Sequence, residues 1–182
     1  MKNPYVVTLL LVPFVSAAFA EWLPFPVDNQ VSVQLPSHPT EIDLRKLMPA
    51  AAMQHARLWA LRAPEGVYMV MRLRIGIGSI TQRDTAGRRD YYAGVMQAVL
   101  HDEQGQPISR SYFSTLAGAG LELKYKGRHQ ATGKQVIKYI RSLVVDSVGY
   151  SLNFIPTDQQ DSLGLAGNEQ RRRFFNSLVA TP

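Results

Sequence analysis

The segment Gln135–Val145 constrains the fold of this chain more than any other. Read with a period of two, it is apolar on both faces. Ile137, Tyr139, Leu143 and Val145 fall on one, and Val136, Ile140 and Val144 on the other. A strand with one wet face alternates apolar with polar, whereas a strand without a wet face has to be covered on both sides. The segment therefore predicts a central strand with one packing layer above it and another below.

The surrounding sequence supplies strands in hairpin order and two helices. Val31, Val33 and Leu35 alternate with Ser32 and Gln34 until Pro36, which has no N–H to give a ladder. His55–Arg62 alternates, and Ala63-Pro64-Glu65-Gly66 is a turn with Pro preset for its second position. Val67, Met69, Met71, Leu73 and Ile75 then share one strand face, with Tyr68, Val70, Arg72 and Arg74 on the other. After a Gly76–Ser79 break, a helix is predicted over Arg88–His101. Tyr92, Val95, Met96 and Val99 form its apolar stripe, and Gly105 and Pro107 lie beyond its end. Strands follow at Ile108–Thr115, Leu121–Arg128, Gln135–Val145 and Val148–Ile155. A closing helix runs over Asn168–Leu178, with Asn168 as its cap and Arg171, Phe174, Phe175 and Leu178 on one side. Residues 41–53 are ambiguous, because Ile42, Leu44, Leu47 and Met48 fit a short helical face that Pro49 interrupts. Hairpins with helices between and after them define an α+β class with a mostly antiparallel sheet, and the doubly apolar central strand favours a helix/sheet/helix sandwich.

Composition enters where it excludes chemistry. Hydrophobic residues at 46% and charged residues at 19% rule out a disordered or collagen-like chain. With no cysteine, disulfides, thiolate metal sites and cysteine nucleophiles are all excluded. The start, MKNPYVVTLLLVPFVSAAFA, reads as a cleaved signal peptide over residues 1–20. Lys2 precedes an apolar run, and the small residues Ala18 and Ala20 set the cleavage site. The stretch from Tyr5 to Ala20 is shorter than the ~20 residues that span hydrocarbon. The expectation is export, to a periplasm or beyond the cell. Residues 21–40 form a Pro-rich segment with the first short strand, and 41–182 form the remainder of one globular domain. Trp22 and Phe25, just past the cleavage site, are expected to fold back onto the sheet rather than to wait for a partner.

The order of elements is similar to a known family. A Val33-x-Leu35-Pro36-x-x-Pro39 segment and a Tyr68-centred strand after a turn come first. A Gly127…Gly133 hairpin then feeds a long strand with Arg141, followed by Tyr150-Ser151-Leu152 and the closing Arg173-Phe174-Phe175-Asn176-Ser177-Leu178 helix. This resembles the bacterial extracytoplasmic relatives of PsbP, the extrinsic subunit of photosystem II, over most of residues 25–178. The resemblance implies the same sandwich around a central antiparallel sheet of about six strands and a non-enzymatic role in binding or assembly, with an envelope or membrane-complex protein as partner. It carries over no partner-binding or metal residues.

Local motifs for catalysis are missing. Gly76-Ile77-Gly78-Ser79 lacks the third Gly or Lys of a phosphate loop. His38, His55, His101 and His129 show no metal spacing, and Asp158, Asp161 and Glu169 lack the close spacing of a calcium loop. No catalytic residue, metal or cofactor is expected. An enzyme reading would need a site assembled at a distance, with His55 or His129 meeting a carboxylate.

The basic residues carry the remaining functional suggestion. Arg72 and Arg74 share a strand face, Lys124 and Lys126 share another, and Lys138 lies on a third strand. Together they would form a cationic sheet face for acidic lipid, glycan or protein. The competing reading makes them solubilising charges, and a doubly covered sheet cannot bury five unpaired cations. Arg171-Arg172-Arg173 fans around its helix rather than forming a patch. Export removes nucleic acid as a partner despite a pI near 9.7.

Overall fold

A computed structural model describes residues 21–44, 55–75, 85–129, 132–158 and 160–182. In chain order they form β1 (Leu23–Pro26), β2 (Val31–Leu35), β3 (Thr40–Ile42), β4 (Ala56–Ala63), β5 (Gly66–Arg74), α1 (Thr85–Asp102), β6 (Gln106–Thr115), β7 (Gly118–Arg128), β8 (Gln135–Val145), β9 (Val148–Pro156), α2 (Asn168–Asn176) and β10 (Val179–Ala180). The signal segment with Ala18 and Ala20, the helical face at Leu47 and Met48, and the Gly76–Ser79 break lie outside the described residues. No helix among those described is long and apolar enough to cross a membrane.

The strands make two antiparallel sheets. The larger has seven strands in the order β3-β4-β5-β9-β8-β7-β6, and the smaller is β1-β2-β10. The seventh strand, where about six were expected, is β3, which runs into the ambiguous segment. Ile42 pairs with Leu58 there instead of joining a helical face.

β8 is buried on both faces, as its sequence requires. On one side Ile137, Tyr139, Leu143 and Val145 pack with Val31, Val33 and Leu35 of the small sheet and with Phe174 and Phe175 of α2. On the other, Val144 and Leu121 meet Tyr92 and Met96 of α1, and Ile140, Leu123 and Tyr125 meet Met96, Val99 and Leu100. This is the helix/sheet/helix sandwich, with the small sheet added to one layer. The two covers differ in reach. α1 lies mainly over β7 and β8 and touches β9 through Tyr91 beside Gly149, so on its side Met69, Met71 and Leu73 of β5 stay half-buried, while Tyr68 and Val70 on the other side are fully buried.

Aromatic contacts close the α2 side. Tyr68 stands edge-on to Trp22, Phe154 and Phe174, and Phe25 meets Trp59 in the same way. The N-terminal segment thus folds back onto the sheet. Hydroxyls and carboxylates tie the layers together. The Tyr92 hydroxyl accepts from the Val144 amide at 3.1 Å, where β8 runs past its pairing with β7, and donates to the Ala119 carbonyl at 2.8 Å.

One helix cap differs from expectation. Gly167, not Asn168, occupies the N-cap of α2, with a left-handed φ of 64° and no side-chain cap bond. A Cβ at Gly167 would stand 2.7 Å from the Phe154 ring, so the turn needs glycine for both space and φ. Asn168 is the first helical residue, and its Oδ1 accepts from Arg171 Nη2 at 2.6 Å.

Asp28, in the β1–β2 turn, fastens the small sheet to the large one. Its carboxylate accepts from Arg72 Nε and the Tyr150 hydroxyl, each at 2.7 Å, and from the amides of Gln30 and Val31. Burial alone would raise the Asp28 carboxyl, but those donors outweigh it and hold its pKa below the usual value. A depressed native pKa means that the folded chain binds this proton more weakly than the unfolded chain. The stabilisation is complete above the ordinary carboxylate range near pH 4 and is lost as pH falls through the lower folded value. Asp28→Asn is expected to cost about 1–3 kcal/mol at neutral pH and to flatten the acid limb of the stability profile, measured by urea unfolding between pH 2 and 7.

Candidate functional site

Three arginines and a histidine gather at one end of the large sheet. Arg57 on β4 lies directly opposite Arg72 on β5, and the Arg74 amide donates to the His55 carbonyl at 3.3 Å. With Ala56, Ser147 and Val148 these four residues line a depression of about 380 Å³. Two like charges facing each other across a ladder repel unless compensated, and each of these has its own carboxylate. Arg57 grips Glu41 in two-pronged fashion, Nε to Oε1 at 2.9 Å and Nη2 to Oε2 at 2.8 Å. That contact lowers the Glu41 pKa and raises that of Arg57. Arg72 leans on Asp28.

Arg74 is exposed and has no ion-pair partner among the described residues. Among the described residues the depression therefore carries one unspent positive charge on a rim of two braced guanidinium forks, which retain donors beyond those their carboxylates take. Such a rim suits a carboxylate, phosphate or sulfate group held at more than one point.

The other basic residues lie elsewhere. Lys124 and Lys126 share the same sheet face as Arg72 and Arg74, but β9 and β8 intervene. Three strand spacings separate the two pairs by roughly 14 Å, so one small anion cannot touch both. Lys124 lines a smaller cavity of about 210 Å³ with Ser109, Ser111, Tyr139 and Arg171. Its ammonium donates to the Leu163 carbonyl at 2.7 Å and lies over the Tyr139 ring. Lys126 is exposed.

Lys138 points to the opposite face. It is 4% exposed, and its ammonium donates to Glu103 at 2.6 Å and to the Arg128 carbonyl at 3.0 Å, locking the end of α1 to the sheet. A single cationic face made of all five is not what the fold builds. The register decides this, because Lys138 is opposite Tyr125, while Lys124 is opposite Tyr139.

The remaining candidates have local partners. Arg171 bonds Glu122 at 3.1 Å and stacks on Tyr139, Arg172 is exposed, and Arg173 lies over Trp22, so the three arginines fan apart. Asp161 accepts from the amides of Leu163, Gly164 and Ala166. His129 Nδ1 stands 3.1 Å from the Thr132 hydroxyl, and among the described residues no carboxylate lines the depression where His55 sits. No group of three or more potential metal ligands occurs among the described residues. The sequence reading did not count Arg57 or His55 in the basic set. Only the hairpin pairing of β4 with β5 brings them beside Arg72 and Arg74.

The fold has solved counterparts. The solution structure of cyanobacterial PsbP (CyanoP) from Synechocystis sp. PCC 6803 is similar over 93% of this chain and 98% of that one, with a TM-score of 0.53 and 12% identity. The crystal structure of PA94 from Pseudomonas aeruginosa, a protein of unknown function, aligns over 80% of this chain and 99% of that one, with a TM-score of 0.48 and 15% identity. No family model and no curated protein matches the sequence. The chain has a PsbP-like α+β fold, and the resemblance read from the order of its elements holds at the level of that fold.

The two kinds of lysine are separable by experiment. Lys138→Met is expected to destabilise the protein by about 3–5 kcal/mol by stranding Glu103, and Lys138→Met with Glu103→Met to recover most of the loss. Lys126→Ala is expected to stay within about 0.5 kcal/mol of the parent. Chemical denaturation of the four proteins provides the comparison.

Proposed function

We propose that this protein is an exported, non-enzymatic accessory protein of the bacterial cell envelope. In this reading it docks on an acidic envelope or membrane-complex protein through the depression formed by His55, Arg57, Arg72 and Arg74. The observation that carries the reading is the gathering of three guanidinium groups around one open concavity, two braced by Glu41 and Asp28 and one unspent. Braced forks lose little freedom when an anion arrives, which favours recognition over simple solubility. The signal segment supports export, and the PsbP-like fold supports an accessory role as a working analogy.

An acidic protein surface fits better than a lipid plane. The site is a concavity at one sheet end, and the more distant Lys124 is already bonded to a loop carbonyl. Contact of this kind weakens as salt rises, because exposed charges are screened beyond ~8 Å at physiological ionic strength.

The test is in-cell cross-linking of a tagged protein, with mass spectrometry of what is trapped, for the parent and for Arg74→Glu. Arg74 is exposed, so the variant should keep the parent melting temperature. One recurrent envelope protein whose recovery drops at least tenfold in Arg74→Glu is the expected result. Equal recovery from both proteins, or lipid and glycan alone, would contradict the reading.

A further inference from the structure

Among the described residues β6 forms one edge of the large sheet and pairs only with β7. Six large apolar side chains are exposed among the described residues, and three of them lie on or beside this strand: Ile108 (47%), Tyr112 (56%) and Leu116 (82%). An edge with free N–H and C=O groups is a template for another strand unless charges, prolines or bulges blunt it. Here the blunting devices sit at one end. Pro107 and the irregular register between Pro107 and Ser109 disturb the start of β6. From Ser109 to Thr115 the ladder is continuous, and Arg110 is its sole charge.

The exposed residues are placed symmetrically. Tyr112 is the midpoint of the regular run, and Ile108 and Leu116 flank it four residues away on either side. We propose that a second copy of this chain adds to the edge, β6 against β6 and antiparallel, about a two-fold axis through Tyr112. In that register Tyr112 faces Tyr112 of the second copy, Ser111 faces Phe113, Arg110 faces Ser114, and Ile108 comes level with Leu116. An aromatic cross-strand pair stands at the centre, and apolar pairs close both ends.

Charge selects this register. The two copies of Arg110 stand ~14 Å apart, beyond the ~8 Å screening length at physiological salt. Centring the pair on Arg110 would oppose the two guanidinium groups directly, and centring it on Ser111 would set Ile108 against Ser114. A slip by one residue would turn the two sheets to opposite faces. β6 carries no acidic side chain that an external basic strand could complement. A single added strand is a modest contact beside the ~800 Å² per partner of a standard interface, so the dimer is expected to be concentration-dependent. The inference is independent of the arginine depression, which lies on the far side of β9, β8 and β7.

The chain has no cysteine, so Tyr112→Cys installs a single thiol. Opposed residues in an antiparallel pair have Cα atoms ~4.5–5.5 Å apart, inside the range a disulfide bridges. Mild oxidation should join Tyr112→Cys into a covalent dimer and leave Ser114→Cys monomeric. In analytical ultracentrifugation the parent should show a concentration-dependent monomer–dimer equilibrium. Tyr112→Lys and Tyr112→Glu should each be monomeric with unchanged melting temperatures, and an equimolar mixture of the two should regain the dimer. A parent that stays monomeric at every concentration overturns the proposal, including one whose β6 instead takes an extended peptide from another protein. So does a dimer that both charged variants retain, or equal cross-linking of Tyr112→Cys and Ser114→Cys.

Discussion

Everything in this fold is arranged around a strand that has no wet face. β8 carries four polar side chains, Lys138, Tyr139, Arg141 and Ser142, in an interior position. Burying them unpaired would cost several kcal/mol each for the charged ones. Three of the four are satisfied by elements of the covering layers. Lys138 takes Glu103 at the end of α1, and Tyr139 donates to the Gly164 carbonyl in the loop before α2. Arg141 grips Glu122 on β7 and donates to the Phe175 carbonyl of α2 at 2.6 Å, with the Phe113 and Phe175 rings against its guanidinium. The polar residues of the central strand are the fasteners that hold the helices to the sheet.

The same constraint distributes the surface charge. Under the covers cations are spent on structure: Lys138 and Arg141 on carboxylates, and Arg88 on the Ala117 and Ala119 carbonyls. Among the described residues, free charge is left where the covers end, at Arg74 near one end of the sheet face and Lys126 near the other. The apolar surplus follows the same logic. The α1 cover stops over β7 and β8, and β6 projects past it with Tyr112 exposed. A charged depression and an apolar edge thus occupy opposite ends of one sheet, four strand spacings or roughly 19 Å apart. A copy bound at β6 leaves the arginine depression open.

Much of the architecture was legible because period and burial coincide. The two apolar faces of Gln135–Val145, the Val31–Leu35 alternation, the Ala63–Gly66 turn and the Tyr92–Val99 stripe all appear where the residues put them. What stayed hidden depends on pairing across the chain. β1, β3 and β10 are too short to show a pattern and exist because β2 and β4 offer them edges. Alternation in β5 shows two faces but not which one the core takes, since Tyr68 and Val70 compete with Val67, Met69, Met71 and Leu73 on the other side. Lys138 shares parity with Val136 and Ile140 and so belongs to the α1 face. Setting it apart from Lys124 needed the register with β7. The basic depression likewise needed Arg57 to be placed opposite Arg72, which spacing along one strand cannot reveal.

Native-state hydrogen exchange tests the doubly covered strand most directly. Amides of β8 and β9 are expected to exchange only through global unfolding, with a free energy and denaturant dependence equal to those of complete unfolding. Those of the β6 edge and β10 should exchange by local opening at much lower free energy. If β8 exchanges as readily as β6, the strand is not held from both sides, and the division of charge that follows from it fails.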